Sequence, residues 1–124
     1  MSHPKRLLIV DDEETLTFSL YQTFINAPIA CEVITAPDGL QAWHRFSEAP
    51  FDLVITDIAM PGMSGLELLE KVKAQKPDTQ VVVITAYGSQ ERREDAQRLG
   101  ADQYVEKPFD IKELKELVIK LLGS

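Results

Sequence analysis

The sequence predicts an α/β fold, an open, doubly wound parallel sheet built from five strand–helix units. Three observations predict it. Apolar runs of strand length alternate with amphipathic segments of helix length along all 124 residues. The three clearest runs, RLLIV (6–10), DLVIT (52–56) and VVVIT (81–85), are apolar and β-branched throughout instead of alternating. That suits strands covered on both faces by helices. Finally, each parallel pair needs a long right-handed crossover, and the intervening helical segments supply one every time.

The elements follow in order. Behind the first strand come four acids, DDEE (11–14), and a helix marked by Leu16, Leu20 and Phe24 at i, i+4 spacing. A weaker strand, CEVITA (31–36), precedes a helix near 38–48 that carries Trp43 and Phe46. The third strand leads through DIAMPGMSG to a helix with Leu66, Leu69 and Val72. Ser64 and Glu67 have capping-box spacing at its start. After the fourth strand the segment 89–99 is polar (SQERREDAQRL), with only Ala96 and Leu99 clearly apolar, and it stops before Gly100. QYVEK (103–107) is the last strand. The final helix carries Ile111, Leu114, Val118 and Leu121, with Asp110 and Glu113 at its start and Gly123 expected just past its end.

Bulk properties bound the function. The length suits one domain, 1–124. Thirteen basic residues against twenty acidic ones leave a net charge of −7, which excludes nucleic-acid binding through overall charge. Such a balance suits a divalent cation or a partner with a basic face. Cys31 is the only cysteine, so no intrachain disulfide or cysteine-based zinc site can form, and a reducing, cytoplasmic setting is expected. MSHPKR runs directly into the first strand without the form of a signal peptide. No apolar run reaches the ~20 residues of a membrane span.

In an open parallel sheet, ligands bind outside the carboxyl ends of the strands. Five polar residues fall there: Asp11 and Asp12 after the first strand, Asp57 after the third, Thr85 at the end of the fourth and Lys107 at the end of the fifth. Taken singly, each has an ordinary reading. The first acids favour a helix start, Asp57 suits a turn, Thr85 is a good strand former, and Lys107 is a solvated edge charge. Glu13 and Glu14 need no more than the helix start. None of these readings explains why the other five share one edge.

Two carboxylates ~4 Å apart repel by about 4 kcal/mol at an effective dielectric of ~20. Three together imply shifted protonation or a bound cation. All-oxygen ligands in an open site favour Mg²⁺, which also reaches for phosphate oxygens. Lys107 suits a phosphoryl oxygen, Thr85 offers a hydroxyl, and a carboxylate can attack phosphorus to form an aspartyl phosphate. Asp11 and Asp12 together suit the metal. Asp57, alone before the turn-forming MPGMSG, is the expected nucleophile.

These residues carry a resemblance. IVDDEE, DLVITDIAMPGMSGLELL, VVVITAYG and GADQYVEKPF, in that order across essentially the whole chain, resemble the receiver domain of two-component response regulators. The resemblance implies a flavodoxin-like (βα)₅ fold with strand order 2-1-3-4-5, as in the chemotaxis regulator, and phosphorylation of Asp57 by a sensor histidine kinase. It implies that Asp12, Asp57 and the Ala59 carbonyl bind Mg²⁺, with Asp11 helping directly or through water. It implies that Lys107, Thr85 and the Ala59 and Ala86 N–H groups hold the phosphoryl group. Thr85 and Tyr104 would form the switch that couples phosphorylation to the face made by helix 4, strand 5 and helix 5. Ala59 and Tyr87 occupy the positions that tune phosphoryl lifetime, and slow self-dephosphorylation is expected from them.

The implied partners are the kinase and either an output module beyond Ser124 or a separate effector, and phosphorylation-dependent dimerisation is compatible with both. No direct contact with nucleic acid or membrane is expected. A haloacid-dehalogenase-type phosphatase also uses an aspartate nucleophile and Mg²⁺, but it places a second aspartate where Ala59 stands. A flavodoxin-like electron carrier would need a Ser/Thr/Gly-rich phosphate loop where DDEE stands.

Overall fold

In the computed structural model, which describes residues 4–86 and 89–123, five parallel strands form one sheet in the order β2-β1-β3-β4-β5. The elements are β1 (Lys5–Val10), α1 (Glu14–Ile25), β2 (Cys31–Ala36), α2 (Gly39–Glu48), β3 (Leu53–Asp57), α3 (Gly65–Gln75), β4 (Gln80–Thr85), α4 (Gln90–Arg98), β5 (Gln103–Glu106) and α5 (Ile111–Gly123). Strand order reverses between β1 and β3, the switch point of a doubly wound sheet.

Because successive strand residues point to opposite faces, continuously apolar strands build two cores. Leu8, Val10, Val54, Val81 and Val83 pack with Phe46 of α2 and Leu69 and Val72 of α3. Leu7, Ile9, Leu53, Ile55, Val82 and Ile84 pack with Leu20 and Phe24 of α1 and Leu114 and Val118 of α5. The helices dock by the stripes read from the sequence. Helix α4 is the exception, with Ala96 its only buried residue.

Local signals set the ends. Ser64 Oγ accepts from the Glu67 N–H at 3.2 Å. Asp110 Oδ1 accepts from Lys112 and Glu113 at 2.8 and 3.3 Å. Gly100 has φ +99°, the left-handed conformation that closes α4. Several boundaries differ from expectation. The third strand runs Leu53–Asp57 instead of 52–56, so Asp57 is its last residue. Glu106 ends β5, so Lys107 lies just beyond the strand and precedes a cis bond to Pro108. Gly123 is the last residue of α5 instead of lying past it, because the buried Leu122 holds the final turn against the sheet.

Candidate functional site

The switch point gathers the acids. Backbone pairing of β1 with β3 places Val10 beside Thr56, so the residues that follow, Asp11 and Asp57, leave adjacent strands at the same edge. Asp11 is 2 % exposed and Asp57 6 %, whereas Asp12 is exposed. One carboxylate oxygen from each lies within 4.8 Å of the others. Among the described residues this is the only such group of three potential metal ligands.

Lys107 reaches the same point from β5. Its Nζ donates to Asp57 Oδ2 at 3.0 Å and to Asp11 Oδ2 at 3.2 Å. The remaining oxygens are held by backbone: Glu13 N–H donates to Asp11 Oδ1 at 2.8 Å, and Ala59 N–H to Asp57 Oδ1 at 3.1 Å. Thr85 is fully buried at the end of β4, and its carbonyl accepts from the Lys107 N–H at 2.8 Å. Ala59 and Ala86 are exposed at the same edge. Tyr87 lies outside the described residues.

The electrostatics are unbalanced, with three carboxylates facing one ammonium. Burial pushes the Asp11 carboxyl above the usual aspartate range, and the Glu13 N–H and Lys107 only partly offset it. For Lys107, burial pulls the ammonium down, yet hydrogen bonds to Asp57 and Asp11 and their charges together outweigh it and leave the pKa raised. A cation would relieve the remaining repulsion, and the all-oxygen donor set fits Mg²⁺.

Two contributors were not foreseen from sequence. Gly65 opens α3 so close to β3 that a Cβ would drive into the Asp57 carbonyl, while its N–H donates to Ile58 O at 2.9 Å. Its signal was the glycine directly after the Ser64 cap. Thr56, fully buried, donates its hydroxyl to the Asp57 carbonyl at 2.9 Å. The Asp11–Lys107 pair, 96 residues apart, joins two residues that the sequence already places at this edge.

The model of the response regulator receiver domain family matches residues 7–119. The chain belongs to that family. This receiver domain is 34% identical over 118 residues to sporulation initiation phosphotransferase F of Bacillus subtilis, covering 95% of this chain and 94% of that protein. It is 34% identical over 117 residues to the two-component response regulator PhoP of Pseudomonas aeruginosa, covering 94% of this chain but only 51% of that protein. The chain thus spans about half of PhoP and nearly all of phosphotransferase F. A solved receiver domain protein (CheY-like) from Methanospirillum hungatei superposes with a TM-score of 0.89 at 30% identity, covering 98% of this chain and 95% of that one. The receiver domain therefore serves phosphorelay signalling, and its fold is the chemotaxis-regulator type. The phosphatase reading gains no support from these matches. No helix among the described residues is long and apolar enough to cross a membrane.

Proposed function

We propose that Asp57 is the phosphoryl acceptor of a receiver unit comprising 1–124, and that a histidine kinase is the donor. The observation that carries this is the setting of the Asp57 carboxylate. Lys107 Nζ sits 3.0 Å from one oxygen, the Ala59 N–H 3.1 Å from the other, and two further carboxylates lie alongside.

An Asp57 oxygen attacks phosphorus, a P–O bond forms, and the P–N bond to the donor imidazole breaks with its electron pair leaving on nitrogen, which takes up a proton. Lys107, now bridging Asp11 and Asp57, turns to a phosphoryl oxygen as the negative charge moves there. The Ala59 and Ala86 N–H groups and the Thr85 hydroxyl complete the cradle. Positioning and charge neutralisation supply most of the acceleration. Asp12, Asp57 and the Ala59 carbonyl would hold Mg²⁺, with Asp11 helping directly or through water. The ion, when bound, would offset the carboxylate charge and favour the crowded phosphoryl oxygens.

Ala59 brings no side chain that could serve as a general acid or orient an attacking water, which favours a persistent phosphoryl group over phosphatase turnover. The consequence for signalling runs through Thr85 and Tyr104 to the face of α4, β5 and α5. There an output module beyond this chain, a separate effector or a second receiver would respond. A cytoplasmic setting agrees with the kinase partner and the lone Cys31.

Incubation with radiolabelled acetyl phosphate and Mg²⁺ tests the assignment. The parent should gain acid-stable, base-labile label, and Asp57→Asn should gain none. Undiminished label at residue 57 in the variant would overturn it.

A further inference from the structure

The loop 58–64 carries Ala59, whose N–H meets Asp57 Oδ1 at 3.1 Å. Backbone ties the base of this loop. The Ile58 N–H donates to Ile84 O at 3.2 Å, and Ile58 O accepts from the Gly65 N–H at 2.9 Å. Ile58 and Met60 are buried in the core, whereas Pro61 and Gly62 are exposed and Met63 is half-buried. The far limb of the loop therefore draws little support from the core.

Its support is Gly39, the buried first residue of α2. A Cβ at this position would lie 2.6 Å from the Met63 carbonyl oxygen and 3.0 Å from Met63 Cβ. The oxygen is backbone, so no change of rotamer relieves the contact. Gly39 has no positive φ, so it is the close approach that demands glycine here. The start of α2 is the stiffer partner: Asp38 Oδ1 accepts from the Gln41 N–H at 2.8 Å, and Ala42 and Phe46 are fully buried. Just ahead of it, the Ala36 carbonyl accepts from the Asp11 N–H at 3.3 Å. This segment is thus tied on one side to Asp11 and rests on the other against the loop that serves Asp57.

We infer that Gly39 is a positioning residue: its bare backbone seats the Met63 carbonyl and so sets where the loop presents Ala59 to Asp57. The inference rests on the reading of Asp57 as the phosphoryl acceptor and of Ala59 as part of its cradle. A side chain at 39 pushes the loop and not the helix. Phosphoryl transfer registers such a displacement, because positioning supplies much of its acceleration.

The test compares the ¹⁵N-labelled parent with Gly39→Ala, and with Gly123→Ala as a control whose added methyl meets open space. At a temperature where circular dichroism shows it folded, Gly39→Ala should take label from acetyl phosphate and Mg²⁺ about tenfold more slowly than the parent. Without Mg²⁺ its Ala59 amide resonance should move, while that of Phe46 inside α2 stays. Gly123→Ala should match the parent in both respects. Either a parental labelling rate or an unmoved Ala59 resonance in Gly39→Ala would overturn the inference, since Gly39 would then serve packing alone. The parent supplies a second measurement that needs no variant to fold. During Mg²⁺ titration its Gly39 amide should shift with the same midpoint as Ala59, and a Gly39 resonance that stays put while Ala59 moves would also overturn the inference. An Ala59 resonance that ignores Mg²⁺, with label still entering Asp57→Asn, would instead overturn the reading of the site beneath it.

Discussion

The two ends of the sheet use the same side chains to opposite effect. At the amino ends of the strands, Lys73 Nζ donates to Asp102 Oδ2 at 2.9 Å and to the Thr79 carbonyl at 2.6 Å. Asp102 Oδ2 also accepts from the Val81 N–H at 2.7 Å, and the Thr79 hydroxyl donates to Phe51 O at 2.6 Å. One carboxylate meets one ammonium, and the backbone absorbs the remaining valences. At the carboxyl ends one ammonium faces three carboxylates, two of them buried. A matched pair closes an end, whereas a surplus of acid leaves negative charge that a cation would offset.

The contrast can be broken from either end. The largest effect belongs to Asp57→Asn, which should abolish labelling by acetyl phosphate. Lys107→Met should slow labelling by about 10²-fold, the scale for losing one charge-stabilising donor. Asp102→Ala serves as the counterpart. It leaves Lys73 unpaired and the Val81 N–H without its acceptor, so urea unfolding should show a loss of about 1–3 kcal/mol. Its labelling rate should match the parent. A matching loss of labelling would show that the two ends are not independent.

The smallest effect is one of pH. A carboxyl with a raised folded-state pKa keeps its proton in the fold where the unfolded chain has already lost it. On account of Asp11, the metal-free protein should therefore lose stability as pH climbs from the ordinary aspartate value through the raised one. Lys107 acts at the alkaline end, where its contribution is present below the ordinary lysine value and fades as pH rises through the raised folded one. Thermal unfolding should consequently show a larger Mg²⁺ stabilisation at neutral pH than near about pH 4. An equal increment at both would detach the ion from these acids.

Much of this was readable in advance because it is local or topological. Continuous β-branched runs announce strands covered on both faces, and parallel strands deliver their following residues to one edge. That is why Asp11, Asp57 and Lys107 could be placed together from sequence. What escaped depends on distances that periodicity does not encode. Gly65 matters because α3 begins against the Asp57 carbonyl, and Arg93 because α4 lies over Tyr104. Even the capping of α1 reads differently in three dimensions. Glu13 makes no side-chain cap, and its N–H is taken by Asp11, so the acid beside the helix orders the loop from the site outward.

Helix α4 gives the molecule an uneven stability map. Ala96 is its one fully buried residue, helped by the half-buried Leu99 and the Arg93 contacts to Tyr104 and Glu106, while the other helices each bury two or more residues. Burying one methyl group contributes on the order of 1 kcal/mol, far less than the 5–15 kcal/mol that typically separates a native domain from its unfolded ensemble. Undocking α4 is thus a sub-global opening, a low rung on the ladder of partial unfolding events. An event of that small cost can release α4 while the rest of the sheet stays folded.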